Sequence, residues 1–208
     1  MTDAFKLPAL PFAVTASPPE VWRRDDTADA VVADAPAHTD FYINPGGPDS
    51  ADAETILNAP SLLGSPPSGD FQLTARVSVD FRSQYDAGVL LLWADDKHWA
   101  KFCFEFSPAS SPMVVSVVTR EVSDDANAFT VDSNTVWLRL SRIDRAYAFH
   151  ASTDGTTWQL IRFFHLGDDT GTHQIGFEGQ SPTGEGCTVT FDRITFTPQR
   201  LAELRDGS

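Results

Sequence analysis

The sequence predicts an all-β fold of two packed antiparallel sheets. Segments with alternating polar and apolar residues recur along most of the 208-residue chain, and turn-forming Gly, Pro and Asp residues separate them. Only the tail, residues 198–208, has a helical pattern, with Pro198 near its start and Gly207 after it. So many short strands with so little helix are typical of a sandwich or a barrel. No linker or repeat divides the chain, so we expect one domain over residues 1–208.

The first third of the chain predicts short strands with frequent breaks. The segments PFAVTAS, EVWRRD and ADAVVADA are separated by a Pro-Pro pair and an Asp-Asp pair. Phe41, Tyr42 and Ile43 then lead into NPGGPDS, which is a loop by composition. The segment SLL predicts one more strand, which ends at Gly64.

The strand signal is strongest after Gly69. The segment DFQLTARVSVDFR alternates without interruption, as a half-buried strand does. Eight further strands are predicted, and their segments are GVLLLW, HWAKFCFEFS, MVVSVVTRE, VWLRLSRID, AYAFHAS, TWQLIRFFHL, HQIGFEGQS and GCTVTFDRITFTP.

One strand has two contrasting faces, and it directs the search for a site. Side chains alternate across a strand, so one face of HWAKFCFEFS carries Ala100, Phe102, Phe104 and Phe106, and the other carries Trp99, Lys101, Cys103 and Glu105. The phenylalanine face predicts core. An indole beside a cation and a carboxylate is a usual ingredient of a site for polar ligands, although an exposed Lys and Glu are more often plain surface charge.

Composition restricts the partners. Fifteen Lys and Arg against twenty-nine Asp and Glu give a net charge of −14, which would repel nucleic acid and anionic membrane surfaces. Cys103 and Cys187 have no metal-site spacing, and we expect free thiols. The sequence has no signal-peptide pattern and no apolar run long enough to span a membrane, so we expect a soluble, cytoplasmic protein.

Several segments together resemble a known family. These are YDAGVLLLWADDKHWAKFCFEFS, SVVTREVSDD, WLRLSRIDRAYAFHASTDGTTWQLIRFF and IGFEGQSPTGEGCTVTFDRITF. In this order, from about residue 70 to residue 197, they are similar to the concanavalin A-like β-sandwich domains of unknown function that include the fungal regulation-of-enolase protein. The resemblance implies a jelly roll with one concave sheet, like the domains that bind glycans in lectins and in xylosidase C-terminal modules. It implies a role in controlling carbohydrate metabolism but no established activity.

From the strand pattern and this resemblance, we predict a non-catalytic module that binds a carbohydrate or a similar polyhydroxylated ligand on the concave face. Trp93 and Trp99 would stack on the ligand, and Lys101, Glu105, Arg139 and Gln180 would hydrogen-bond to it. The full predicted set is Tyr85, Trp93, Trp99, Lys101, Glu105, Thr119, Asp124, Arg139, Glu178 and Gln180.

Other interpretations accompany this prediction. The same groove could dock a protein partner, or the charged residues could form ordinary ion pairs between strands. A glycoside hydrolase would use Glu105 and Glu178, but the chain lacks the clustered carboxylates that sandwich glucanases carry on one strand. Carbohydrate-binding sandwiches often hold a structural calcium, for which Asp192 is placed with Asp25 or Asp26. We favour surface charge for these aspartates and expect no cofactor.

Overall fold

The structure, a computed structural model, describes residues 4–47, 55–167 and 171–208. These residues form seventeen strands and one short 3-10 turn, Pro19–Val21. The strands are β1 (Ala4–Phe5), β2 (Val14–Ser17), β3 (Trp22–Asp25), β4 (Ala30–Ala35), β5 (Phe41–Tyr42), β6 (Ile56–Leu57), β7 (Ser61–Gly64), β8 (Phe71–Val79), β9 (Ala87–Asp95), β10 (His98–Phe106), β11 (Pro112–Arg120), β12 (Val122–Thr130), β13 (Thr135–Ile143), β14 (Ala146–Ser152), β15 (Gln159–Phe164), β16 (Gln174–Gln180) and β17 (Cys187–Thr197).

Two large antiparallel sheets contain almost all of these strands. The first sheet has the order β1-β2-β7-β16-β9-β10-β11-β12, and the second has the order β15-β14-β13-β8-β17-β4-β3. Strands that are distant in sequence are neighbours in both sheets, such as β16 beside β9. The predicted two-sheet antiparallel sandwich is therefore confirmed.

The main core lies between the two sheets. Ala100, Phe102 and Phe104 of β10 point into it as predicted, and each is fully buried. Phe102 stacks face to face on Phe149 of the second sheet, with ring centroids 4.6 Å apart. Gly88 of β9 also faces the core, where an added Cβ would come within 2.5 Å of methyl groups of Val77 and Val189. Glycine is therefore needed there for the sheets to approach this closely.

The predicted C-terminal helix is wrong. Residues 198–208 contain no helix and form turns instead, in which Gly207 has φ 73° and donates its N–H to the carbonyl of Glu203 at 3.0 Å. So short a segment is a marginal helix by itself. Its leucines instead pack on the outer face of the second sheet, where Leu201 joins a small cluster with Ile143 and Ala148.

Strand β12 is absent from the sequence prediction. It is the edge strand of the first sheet, and most of its residues are exposed on both faces. Its sequence, VSDDANAFT, therefore lacks the alternation that marks a half-buried strand, and it is rich in residues that disfavour strands.

A segment that precedes β7 covers the outer face of the first sheet. We call residues 36–47 and 55–60 the covering segment. Its Phe41 and Ala59 form a second apolar cluster with residues from β9, β10 and β11. Ile43 anchors it to β12 through two hydrogen bonds of 2.9 Å: its carbonyl accepts the backbone N–H of Ser123, and its own N–H donates to the hydroxyl of Ser123. The first sheet is therefore packed on both sides over much of its area.

The two cysteines are free thiols, as predicted, and both are buried. Burial raises the pKa of Cys103 well above its ordinary value and raises the pKa of Cys187 to about 12. Neither thiol is reactive at neutral pH, because only the thiolate is a good nucleophile.

Among the residues that the structure describes, no helix has the length and apolar character needed to cross a membrane.

Candidate functional site

The outer face of the first sheet gathers an unusual group of buried polar side chains. Lys101 and Glu105 project from β10, Glu178 and Gln180 project from β16, and Asp40 is brought over them by the covering segment. Strand β9 lies between β10 and β16, so Ala87 stands between Glu105 and Gln180. We call Asp40, Lys101, Glu105, Glu178 and Gln180 the polar centre.

Lys101 lies in the middle of the polar centre and is only 2% exposed. Its Nζ donates hydrogen bonds to Asp40 Oδ1 at 2.6 Å and to Gln180 Oε1 at 2.8 Å. Burial by itself would lower the pKa of Lys101, but nearby negative charge, above all the charge and the hydrogen bond of Asp40, outweighs it, so the pKa is raised. Lys101 is therefore a permanently charged ammonium that Asp40 neutralises.

Glu178 is fully buried, and neither carboxyl oxygen has a hydrogen-bond partner among the described residues. Burial raises the pKa of Glu178 to about 8, although the nearby charge of Lys101 acts in the opposite direction. The carboxyl is mostly protonated at neutral pH. It is then a neutral group with one hydrogen to donate and oxygens that can accept.

Glu105 is partly exposed, unlike Lys101, Glu178 and Gln180. Burial is the largest influence on its pKa as well and raises it to about 8. The register places Glu105 and Glu178 two strands and two residues apart, which corresponds to roughly 12 Å between their Cα atoms at ordinary strand spacings. The two glutamates therefore come from strands that are not neighbours, and β9 lies between them.

The two predicted stacking tryptophans differ in their exposure. Trp93 and Trp99 stack on each other with centroids 6.3 Å apart, and Phe41 packs against both rings. Trp99 is completely buried and donates its indole N–H to the carbonyl of Asp96 at 3.3 Å. The expectation that Trp99 presents a face to a ligand is therefore wrong, because the covering segment lies over it. Trp93 keeps partial exposure.

Tyr85 and Thr119 flank the polar centre. Tyr85 is 36% exposed in the turn before β9, and its carbonyl accepts a hydrogen bond from the side-chain amide of Gln180 at 3.2 Å. Thr119 is completely buried, and its hydroxyl lies 3.0 Å from that of Ser123, the residue that anchors Ile43. Thr119 therefore supports the covering segment and is not accessible to a ligand.

Two predicted site residues lie elsewhere. Asp124 is on the opposite face of β12 from Asp125, and it accepts a hydrogen bond of 2.6 Å from Arg162 of the second sheet. Arg139 belongs to β13 in the second sheet, where its guanidinium carbon is 3.8 Å from the ring centroid of Trp158. The prediction that both share a groove with Lys101 is wrong.

Arg139 instead holds the C-terminal tail. It donates a hydrogen bond to the carbonyl of Gly207 and another, at 3.3 Å, to the hydroxyl of Thr74. Burial lowers the pKa of Arg139 to about 10, so it remains charged at neutral pH.

Asp192 is part of an ion pair in the second sheet. The Nε of Arg76 donates to its carboxylate at 2.7 Å, and a second guanidinium nitrogen binds the other oxygen. Asp25, one of its suggested companions, accepts the backbone N–H groups of Thr27 and Ala28 at 3.0 and 3.1 Å. In the part of the chain that the structure describes, no three His, Cys, Asp or Glu residues are grouped as metal ligands.

Two important carboxylates were missed from sequence. Asp40 gave no signal, because nothing in the sequence shows that its segment folds back over Lys101. Asp86 is completely buried and accepts hydrogen bonds from the backbone of Arg82 and Ser83, each at 2.8 Å, and from the hydroxyl of Ser181 at 2.6 Å. The Tyr-Asp-x-Gly motif contained it, but that motif does not reveal that its Asp ties two loops together.

Residues 16–199 match the model of a family described as "Protein of unknown function (DUF1349)". The chain belongs to the DUF1349 family. No curated protein matches it significantly. The link to regulation of enolase stays a prediction.

Solved structures similar to this DUF1349 member support its fold. A functionally unknown protein from Saccharomyces cerevisiae is 24% identical, with a TM-score of 0.77, and the match covers 90% of this chain and 97% of that one. The GH43 BlXynB protein from Bacillus licheniformis is 9% identical, with a TM-score of 0.68 and coverages of 86% and 35%. Xylan beta-1,4-xylosidase from Bacillus halodurans C-125 is 10% identical, with a TM-score of 0.63 and coverages of 81% and 33%. The chain thus spans about a third of the length of the latter two. Such low identities establish a shared fold alone.

Proposed function

We propose that this DUF1349 member is a non-catalytic module that binds a carbohydrate or a similar polyhydroxylated ligand. The ligand would contact the polar centre at Glu105, which is partly exposed, and Tyr85, which is 36% exposed in the turn that precedes β9. The observation that carries the proposal is the unpartnered carboxyl of Glu178 beside a buried Lys101 and Gln180.

Burial of polar groups without hydrogen bonds is costly, and folded proteins usually avoid it. The polar centre instead retains the buried carboxyl of Glu178, which has no partner among the described residues. It also contains a second carboxyl, that of Glu105, which is partly exposed. Both carboxyls are mostly neutral at pH 7, because burial raises each pKa to about 8. Sugar hydroxyls both donate and accept hydrogen bonds, so they match neutral carboxyls and the carboxamide of Gln180. The exposed ring of Tyr85 offers a face for the C–H surface of a sugar.

The structural relatives support the same class of ligand. Their descriptions include xylan beta-1,4-xylosidase, a GH43 glycoside hydrolase and a CBM2 module of an evolved Dit protein of Lactobacillus casei phage J-1. The complete burial of Glu178 favours binding over hydrolysis, because a hydrolase would need this carboxyl to reach the scissile bond.

The proposal is tested by thermal shift and calorimetry with a panel of xylose, xylobiose, arabinose and glucose oligosaccharides. At least one sugar should stabilise the protein, and Glu105→Ala should weaken its binding about tenfold, as expected for one lost hydrogen bond to a buried site. Tyr85→Ala should weaken binding as well. Glu20→Ala is the control, because Glu20 is exposed on the 3-10 turn.

Three results would overturn the proposal. The first would be that no sugar of the panel binds. The second would be that the Glu105→Ala protein binds a sugar as tightly as the parent protein does. The third would be turnover of an aryl xyloside in a reaction that Glu105→Gln abolishes. The first result would leave the protein-docking alternative, and the third would identify a hydrolase.

A further inference from the structure

A second cleft lies on the other sheet, away from the polar centre. Its volume is about 430 Å³, and its walls include Ile143, Asp144 and Arg145 at the β13–β14 turn, Phe163 of β15, His165, and Arg200 of the tail. Volumes of about 300–1,000 Å³ are typical of sites for small molecules.

Two arginines and one aspartate line the cleft of a strongly acidic chain. The arginines are Arg145 and Arg200, the aspartate is Asp144, and the chain as a whole carries a net charge of −14. Arg142, near the end of β13, donates its Nε–H to the carbonyl of Asp144 at 3.1 Å.

Ion pairs fix the turn and one of the guanidinium groups. Arg200 Nη1 lies 2.7 Å from Asp144 Oδ2 and 3.5 Å from Asp70 Oδ2, and Asp70 also accepts the backbone N–H of Asp144 at 2.8 Å. These two carboxylates compensate part of the charge. The side chain of Arg200 nevertheless remains 53% exposed, so donors on its other side are open to a ligand.

An exposed aromatic ring stands beside these cations. Phe163 is 49% exposed, although it belongs to a strand and is one of the few large apolar side chains so exposed in the described chain. It points to the same outer face as Ala148, its partner in the register, on the side where the tail packs. A ring face next to arginines suits a ligand with an apolar face next to an oxyanion.

We infer that the cleft formed by Arg145, Phe163 and Arg200 binds a small organic anion, one that carries a carboxylate or a phosphate group beside an apolar face. The oxyanion is held by guanidinium groups, and the apolar face lies on Phe163. The site is separate from the polar centre, because the cleft opens on the second sheet and the polar centre on the first.

The test is isothermal titration of the full chain at low ionic strength with four probes: phenyl phosphate, benzoate, inorganic phosphate and benzyl alcohol. Phenyl phosphate or benzoate should bind, and the comparison between them identifies the preferred oxyanion. Inorganic phosphate and benzyl alcohol should bind at least fivefold more weakly than the better aromatic anion. Binding should also weaken as salt is added, because guanidinium–oxyanion contacts of exposed groups are screened.

Three variants localise the binding. Arg145→Ala and Phe163→Ala should each lower the affinity for the better-binding aromatic anion about fivefold to tenfold. Arg82→Ala should leave it unchanged, because Arg82 is an exposed arginine beyond the opposite end of β8. Thermal unfolding checks that each variant is folded, and Phe163→Leu removes the ring face while keeping an apolar side chain if Phe163→Ala does not fold. Equal binding of all four probes, no binding of either aromatic anion, or unchanged affinity in Arg145→Ala and in the Phe163 variant would overturn the inference.

Discussion

Replacement of Glu178 by glutamine should stabilise the protein, and increasingly so as the pH rises. Glu178 is fully buried, and burial raises its pKa from the ordinary 4.5 to about 8. The folded protein therefore holds a proton that the unfolded chain releases between these two values. Its contribution to stability is present at low pH and is lost as the pH rises through the folded pKa.

The magnitude follows from the same pKa difference. At 1.36 kcal/mol per pH unit, the difference between 4.5 and about 8 corresponds to an upper value of about 5 kcal/mol for holding the ionised carboxylate in this environment. Glutamine has nearly the same shape and no charge to lose. We expect the Glu178→Gln protein to resemble the parent protein near pH 4.5 and to exceed its free energy of unfolding by a few kcal/mol near pH 9.

The assay is urea unfolding at pH 5, 7 and 9, with Glu20→Gln as the control for removal of an exposed carboxylate. The control should show no comparable dependence on pH. A Glu178→Gln protein that is less stable than the parent protein at pH 9, or a difference that is constant with pH, would refute the reasoning.

Three further predictions concern the packing around the two sheets. Lys101→Met should destabilise the protein by roughly 3–5 kcal/mol in urea unfolding, because it leaves the carboxylate of Asp40 buried without its cation, and Lys101→Met combined with Asp40→Asn should recover part of the loss. A double variant that is no more stable than Lys101→Met would contradict the ion-pair explanation. Arg139→Ala should release the C-terminal tail, seen as faster amide hydrogen exchange in residues 201–208 with little change in β10; exchange that stays slow there would show that the leucine contacts suffice. Phe102→Ala should cost about 3–5 kcal/mol in the same unfolding assay, because it opens a cavity against Phe149, and a loss under 1 kcal/mol would mean that the core collapses around the gap.

The strands were predictable wherever burial differs between their two faces. In β8 the apolar residues of the alternating pattern, Phe71, Leu73, Ala75, Val77 and Val79, are all buried. The edge strand β12 was not predictable, because both of its faces are largely exposed and no alternation marks it. The tail resembled a helix in sequence, but its leucines gain more from packing on Ile143 and Ala148 than a short isolated helix could provide.

The candidate site was predictable only in part. The alternation of β10 and β16 places Lys101, Glu105, Glu178 and Gln180 on one face, which local sequence can indicate. Local sequence cannot indicate which sheet a strand joins, and for that reason Arg139 was placed on the wrong side of the molecule. Local sequence also cannot show that the covering segment, which lies nearly sixty residues earlier in the chain, packs over Trp99 and buries it.

The layer formed by the covering segment has a consequence for mutational tolerance. Strands β9 and β10 contact apolar neighbours on both faces, so the segment GVLLLW has no solvent-exposed face on which polar residues would be tolerated. A saturation library should therefore reject polar substitutions at consecutive positions of β9, whereas β12 at the sheet margin should accept them at most positions. Among folded variants, sequence variation would then be high in the edge strand β12 and low in the central strand β9.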